Sequence, residues 1–131
     1  MIQLSDEAFN ALITRVMDEL PQEYINGLDN VAITYADDPT PEQIHKMKLD
    51  NQQLLLGLYE GIPLTQRGAG YTFVLPDKIT LFKNQILASV RNEAELFERI
   101  KRTLWHEIAH FYGLNHARID ALQARSQSSD S

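Results

Sequence analysis

The apolar positions of this chain repeat with two different periods, and the changes of period mark its elements. In "SDEAFNALITRVMDEL", residues 5–20, Phe9, Leu12, Ile13, Val16 and Leu20 recur at helical spacing. Ser5 can cap this stretch, Asp6 and Glu7 suit the positive end of a helix, and Pro21 stops it. The period then falls to two: Val31, Ile33 and Tyr35 alternate in "NVAITYADDP", as in a strand, until Pro39 and Pro41 break it. A short helix can open at Pro41. "LLLGLYEGIP" and "GYTFVLP" predict two strands separated by a glycine-rich polar turn, and "DKITLFKN" a fourth, bounded by Pro76 and Asn84.

The helical period returns for the longest element. Asn92 and Glu95 form a capping box, and the helix runs to about Tyr112. Leu96, Ile100, Leu104, Ile108 and Phe111 share one flank, which predicts the core face. His106 and His110 stand well round from it, with Glu107 on the shoulder between. Gly113 is placed to end the helix in a left-handed turn, and a last helix is expected at about 117–125. No repeat or linker divides the chain. One domain over 1–125 is therefore expected, with the polar 126–131 as a disordered tail.

Composition narrows the function classes. The chain has 131 residues, 44% hydrophobic and 23% charged, ordinary values for a soluble domain. No apolar run is long enough to cross a bilayer, so a membrane partner is not expected, and "MIQLSDEAFN" lacks the pattern of a signal peptide. A cytoplasmic protein is the simplest expectation. With no cysteine, disulfides and thiolate metal sites are excluded. A net charge of −6 argues against nucleic acid as the main partner, because phosphate binding needs a basic surface.

Chemistry concentrates in "HEIAHFYGLNH", residues 106–116, which holds three of the four histidines. Residues four apart on a helix share a face, so His106 and His110 can aim at one point, and neutral imidazole is a good zinc ligand. A helix alone cannot supply a third ligand at the right angle. Gly113 lets the chain turn back, and His116 then completes a three-histidine site with a fourth position open, the arrangement of catalytic zinc. Glu107 follows the first ligand and cannot easily bind the same ion, but as a carboxylate beside an activated water it can take a proton. The pattern H-E-x-x-H-x-x-G-x-x-H is far more specific than its first half. The predicted site is thus one zinc per chain on His106, His110 and His116, with Glu107 as general base for hydrolysis of a peptide or amide bond.

The motif resembles that of zincin metallopeptidases, in the extended form of the metzincins. "LLLGLYEGIPLTQRG", "LPDKITLFKN" and "HEIAHFYGL" together resemble the minimal zincins, small bacterial predicted metallopeptidases, over roughly residues 28–122. The resemblance implies an α+β domain: a three- to four-stranded mixed sheet packed with the N-terminal helix and a long active-site helix. It also implies the same roles for His106, Glu107, His110 and His116. One metzincin feature is missing: Met1, Met17 and Met47 all precede the motif, so no methionine turn follows it.

Other candidates are bland. His45 reads as a solvated surface residue, and Tyr112 as packing. Asp120 reads as a plain surface acid, with roles as an orienting partner of His116 or as a substitute ligand left open. Tyr59 and Tyr71 can each hydrogen-bond a developing oxyanion, and nothing chooses between them. An extended peptide substrate would lie along a sheet edge, Gly70–Leu75 in preference to Leu54–Tyr59. Two other functions compete with a peptidase: a zinc protein that binds without catalysis, and a metal-dependent endoribonuclease. The latter shares the H-x₃-H-x₅-H spacing but usually has glycine at the position of Glu107.

Overall fold

Eight elements follow in the order α1 (Asp6–Glu19), α2 (Gln22–Asn26), β1 (Val31–Ala36), α3 (Pro41–Lys46), β2 (Gly57–Glu60), β3 (Asp77–Phe82), α4 (Lys83–Ala88) and α5 (Glu93–Tyr112). This computed structural model describes residues 2–47, 54–63 and 76–114. The predicted strand "GYTFVLP", its final proline apart, and the predicted helix at about 117–125 lie outside the described residues.

Capping residues set most helix starts. Ser5 accepts from the Ala8 amide at 3.1 Å, and Asn92 from the Glu95 amide at 2.9 Å. The expected box at Asn92 is shifted by one residue, because the Glu95 carboxylate turns back to the Arg91 amide at 3.2 Å rather than to Asn92. Thr40 and Gln43 form a complete capping box on α3, with Pro41 in its first turn. At the end of α1, Gln22 Nε2 donates to the Met17 and Leu20 carbonyls at 2.9 Å each, covering groups that a helix terminus leaves open. Gly113 has φ 72°, the left-handed turn expected after α5.

Two short helices depart from the sequence reading. The predicted fourth strand ends at Phe82, and Asn84 is not its boundary but lies inside α4. Burial of Ile86 and Leu87, the Asn84 amide bonded to Asp37 O at 2.9 Å, and the Lys83–Asp6 ion pair at 2.8 Å hold that turn. The five-residue helix α2 follows Pro21, where the sequence suggests only a stop.

The three described strands form a mixed sheet in the order β1-β3-β2, with β1 parallel and β2 antiparallel to the central β3. β3 accordingly carries the most buried side chains, with Ile79, Leu81 and Phe82 fully enclosed. Register aligns Tyr35, Leu81 and Gly57 in one cross-strand row, and Ile33, Ile79 and Tyr59 in the next on the same face. Because side chains alternate between faces, both rows meet the helical layer. There Phe9, Ile13 and Val16 of α1 and Leu96, Ile100, Leu104 and Ile108 of α5 complete the main core. Leu55, Leu58 and Phe82 make a smaller cluster.

At Gly57 α5 comes close against the sheet. A Cβ on it would stand 2.8 Å from Thr103 Cγ2 and 3.3 Å from Glu107 Cγ. Both neighbours belong to a buried, well-packed helix face, so neither can yield without disturbing the layer.

Two substitutions test these constraints by urea unfolding. Asn92→Ala, which removes the α5 cap, should cost about 1 kcal/mol with an unchanged denaturant slope. Gly57→Ala should cost about 1–3 kcal/mol by overpacking, and adding Thr103→Ser, which deletes the nearest methyl, should recover part of that loss. Wild-type stability for Gly57→Ala would show that α5 does not press on β2 at this point.

Candidate metal centre

The middle of α5 presents three different environments along two turns. Its inner face carries Leu104, Ile108 and Phe111, all at 1% exposure or less, as the spacing predicts. Its outer face carries His106, part-exposed, and His110, exposed, one turn apart. Glu107 lies between, on the shoulder, and its side chain is only 12% exposed because β2 covers it at Gly57.

His106 and Glu107 line the same groove, of about 280 Å³, together with Leu56, Gly57, Arg99, Arg102 and Thr103. One wall is the start of β2 and the other is α5. His110 lies just beyond, where Nδ1 stands 3.3 Å from Glu107 Oε1. The hydrogen bond to Glu107 raises the His110 pKa above the ordinary 6.5, partial burial opposes this, and the carboxylate charge adds to the rise. A raised value means that this contact stabilises the fold fully below the unfolded pKa and ceases to do so as pH climbs through the folded one. Metal needs the neutral ring, so protons and metal compete for His110.

The back of the helix is braced by aromatic rings. Trp105 meets Tyr24 edge to face at 5.4 Å, Tyr24 meets Tyr112 at 5.1 Å, and Phe111 meets Tyr59 at 6.2 Å. The Tyr112 hydroxyl donates to the Tyr24 carbonyl at 2.7 Å, and burial pushes its pKa up, so it stays a donor. Tyr112 therefore packs away from the histidines, as expected, and also ties α5 to α2. The Tyr59 hydroxyl donates to Asp77 Oδ2 at 2.6 Å, a bond between β2 and β3 that occupies its proton. His45 is exposed on α3. His116, Asp120 and Tyr71 lie outside the described residues, as does the preferred substrate edge Gly70–Leu75.

Among the described residues, no three histidine, aspartate or glutamate side chains gather as a metal cluster. The two described histidines of α5 nevertheless fit a zinc ion by donor chemistry: two imidazoles one turn apart on an open helix face, a carboxylate beside them, and a left-handed glycine at the point where the chain leaves the helix for His116. The residues that the sequence reading missed are Gly57, Arg99, Arg102 and Thr103. A signal existed for each: an isolated glycine in a strand marks a close approach, and 99, 102, 103 and 106 share one helix face.

The zincin-like metallopeptidase family matches residues 28–126, most of the chain. No curated protein matches it closely enough to count as a relative. Among solved structures, a conserved hypothetical protein from Thermus thermophilus is similar, with a TM-score of 0.54 and 23% identity, over 92% of this chain and 99% of that one. At that identity the likeness speaks for the α+β fold alone. No helix among the described residues is long and apolar enough to cross a membrane. With the motif helix, its glycine stop and the sheet beside it matched as a continuous stretch, this chain belongs to the zincin-like metallopeptidase family.

Proposed function

We propose that the protein is a zinc-dependent peptidase that cleaves an extended peptide, with His106, His110 and His116 holding one zinc ion and Glu107 moving the proton. The observation that carries this reading is that His106 and Glu107 line one open groove while His110 stands one turn further along the same helix. Zinc, when bound, supplies a Lewis acid that brings the pKa of water to about 7 and polarises a carbonyl oxygen. Glu107 accepts a proton from the attacking water as the new C–O bond forms. It then delivers that proton to the leaving amide nitrogen as the C–N bond breaks. The Glu107 stem packs against β2 at Gly57, which directs the carboxylate into the groove.

A purely bracing zinc site is the competing reading, and Glu107 separates the two. In a bracing site Glu107 would do no more than hold the His110 ring, a task that glutamine can also perform. The endoribonuclease reading is weaker, since the acidic balance of the chain disfavours a phosphate backbone.

Elemental analysis after mild dialysis should find one zinc per chain in the wild type and little in His110→Ala. In a chelator competition, His116→Ala should weaken binding by orders of magnitude and Asp120→Ala by about 100-fold at most. The reverse ranking would make Asp120 the ligand. Glu107→Gln should keep zinc content and melting temperature while hydrolysis falls about 10²–10⁴-fold. Equal turnover by wild type and Glu107→Gln across a peptide library would leave only the bracing site.

A further inference from the structure

Upstream of the histidines, the groove is lined by two guanidiniums. Arg99 is half-buried and Arg102 exposed, and both line the cleft that contains His106 and Glu107. Arg99 and Arg102 have no ion pair among the described residues. The other two described arginines are engaged: Arg15 lies 4.9 Å over the Phe97 ring, and Arg91 Nε bonds Glu95 Oε2 at 3.2 Å. Two buried lysines are paired as well, Lys83 with Asp6 at 2.8 Å and Lys101 with Glu19 at 3.6 Å.

Partners were within reach. Glu95 stands four residues before Arg99, and Glu98 four before Arg102, the spacing and orientation most favourable for an ion pair on a helix. Neither pair forms: Glu95 turns to Arg91, and Arg102 faces the groove instead of Glu98. Two like charges this close on one helix face repel each other. An anion between them would remove that repulsion and satisfy both forks. In a chain of net charge −6, this is a local positive site inside the cleft.

From this geometry we infer that Arg99 and Arg102 form a specificity subsite for a carboxylate of the substrate peptide, either an acidic side chain or a free C-terminus. The inference rests on the peptidase reading for its substrate class. Guanidinium matches carboxylate through paired, charge-assisted bonds, and a peptide, unlike a nucleic acid, suits an otherwise acidic protein. Position follows from the helix. Arg102 is four residues and Arg99 seven before His106, about 6–10 Å along the axis at ~1.5 Å per residue. An extended peptide advances ~3.3 Å per residue, so the carboxylate is expected about two to three residues from the scissile bond. Leu56 and Gly57 form the facing wall, where the intervening residues would lie.

The test uses zinc-loaded full-length chain and an alanine-based octapeptide series, acetylated and amidated, in which one Glu or Gln is walked through every position. The unsubstituted octapeptide with a free or an amidated C-terminus forms the second arm. Cleavage is followed by mass spectrometry on the wild type, and binding by fluorescence anisotropy on Glu107→Gln. The expected result is at least a tenfold preference for Glu over Gln at one position, or for the free over the amidated end, which identifies the source of the carboxylate. The preference should vanish in Arg99→Gln/Arg102→Gln and pass to Lys-containing peptides in Arg99→Glu/Arg102→Glu. Because the binding arm needs no turnover, a chain that cuts nothing but keeps the arginine-dependent preference would overturn the peptidase reading and leave the subsite standing. A preference unchanged by both arginine variants, no preference in either arm, or tighter arginine-dependent binding of a single-stranded RNA octamer than of any peptide would overturn the subsite.

Discussion

The close approach of α5 to β2 at Gly57 governs the rest of this structure. With no side chain at that position, the Thr103 methyl and the Glu107 stem press directly on the strand backbone. Packing on the strand fixes the base of the Glu107 side chain, and its carboxylate reaches into the groove beside His110. The same contact tilts the question of which residues face water: with Glu107 against the sheet, helical geometry turns His106 and His110 outward together. Glu107 is thus buried while the imidazoles are open to solvent, although it bonds one of them, His110.

Support comes from behind. The rings of Tyr24, Trp105 and Tyr112, together with the Tyr112 bond to the Tyr24 carbonyl, fasten the last turns of α5 to α2. Gly27 leaves the space that the Tyr112 hydroxyl occupies. The histidine face therefore sits on a helix clamped at two places, by β2 at Gly57 and by α2 at Tyr112. A ligand pair spaced by one helical turn keeps its spacing only on a helix held in this way.

Most of this was legible in the order of residues, for identifiable reasons. Ser5 and Asn92 are strong caps in front of long periodic stretches, so α1 and α5 could be read to within a residue, and Gly113 marked its own left-handed turn. The α+β class, the mixed sheet and the family were likewise within reach of the motif and its surroundings. The helix α4 was not, because Phe82 offers no side-chain cap and six residues carry less than two turns of pattern. Burial of Ile86 and Leu87 and contacts distant in sequence, among them Lys83 with Asp6 and Asn84 with Asp37, define it. The groove escaped for a similar reason: Arg99 and Arg102 look like any solvated helix face until β2 is placed opposite them. His106, Glu107 and His110 were readable because their spacing is a property of one helix, whereas a cleft belongs to two elements at once.

The aromatic clamp has an optical consequence. Trp105 is the sole tryptophan of the chain, is 2% exposed, and immediately precedes His106. Its emission originates from one position on α5, and Tyr24 and Tyr112 lie close enough to pass it their excitation. Events on the outer face of this helix thus have a built-in spectroscopic reporter on its inner face, with no label to attach and no second indole to confuse the signal.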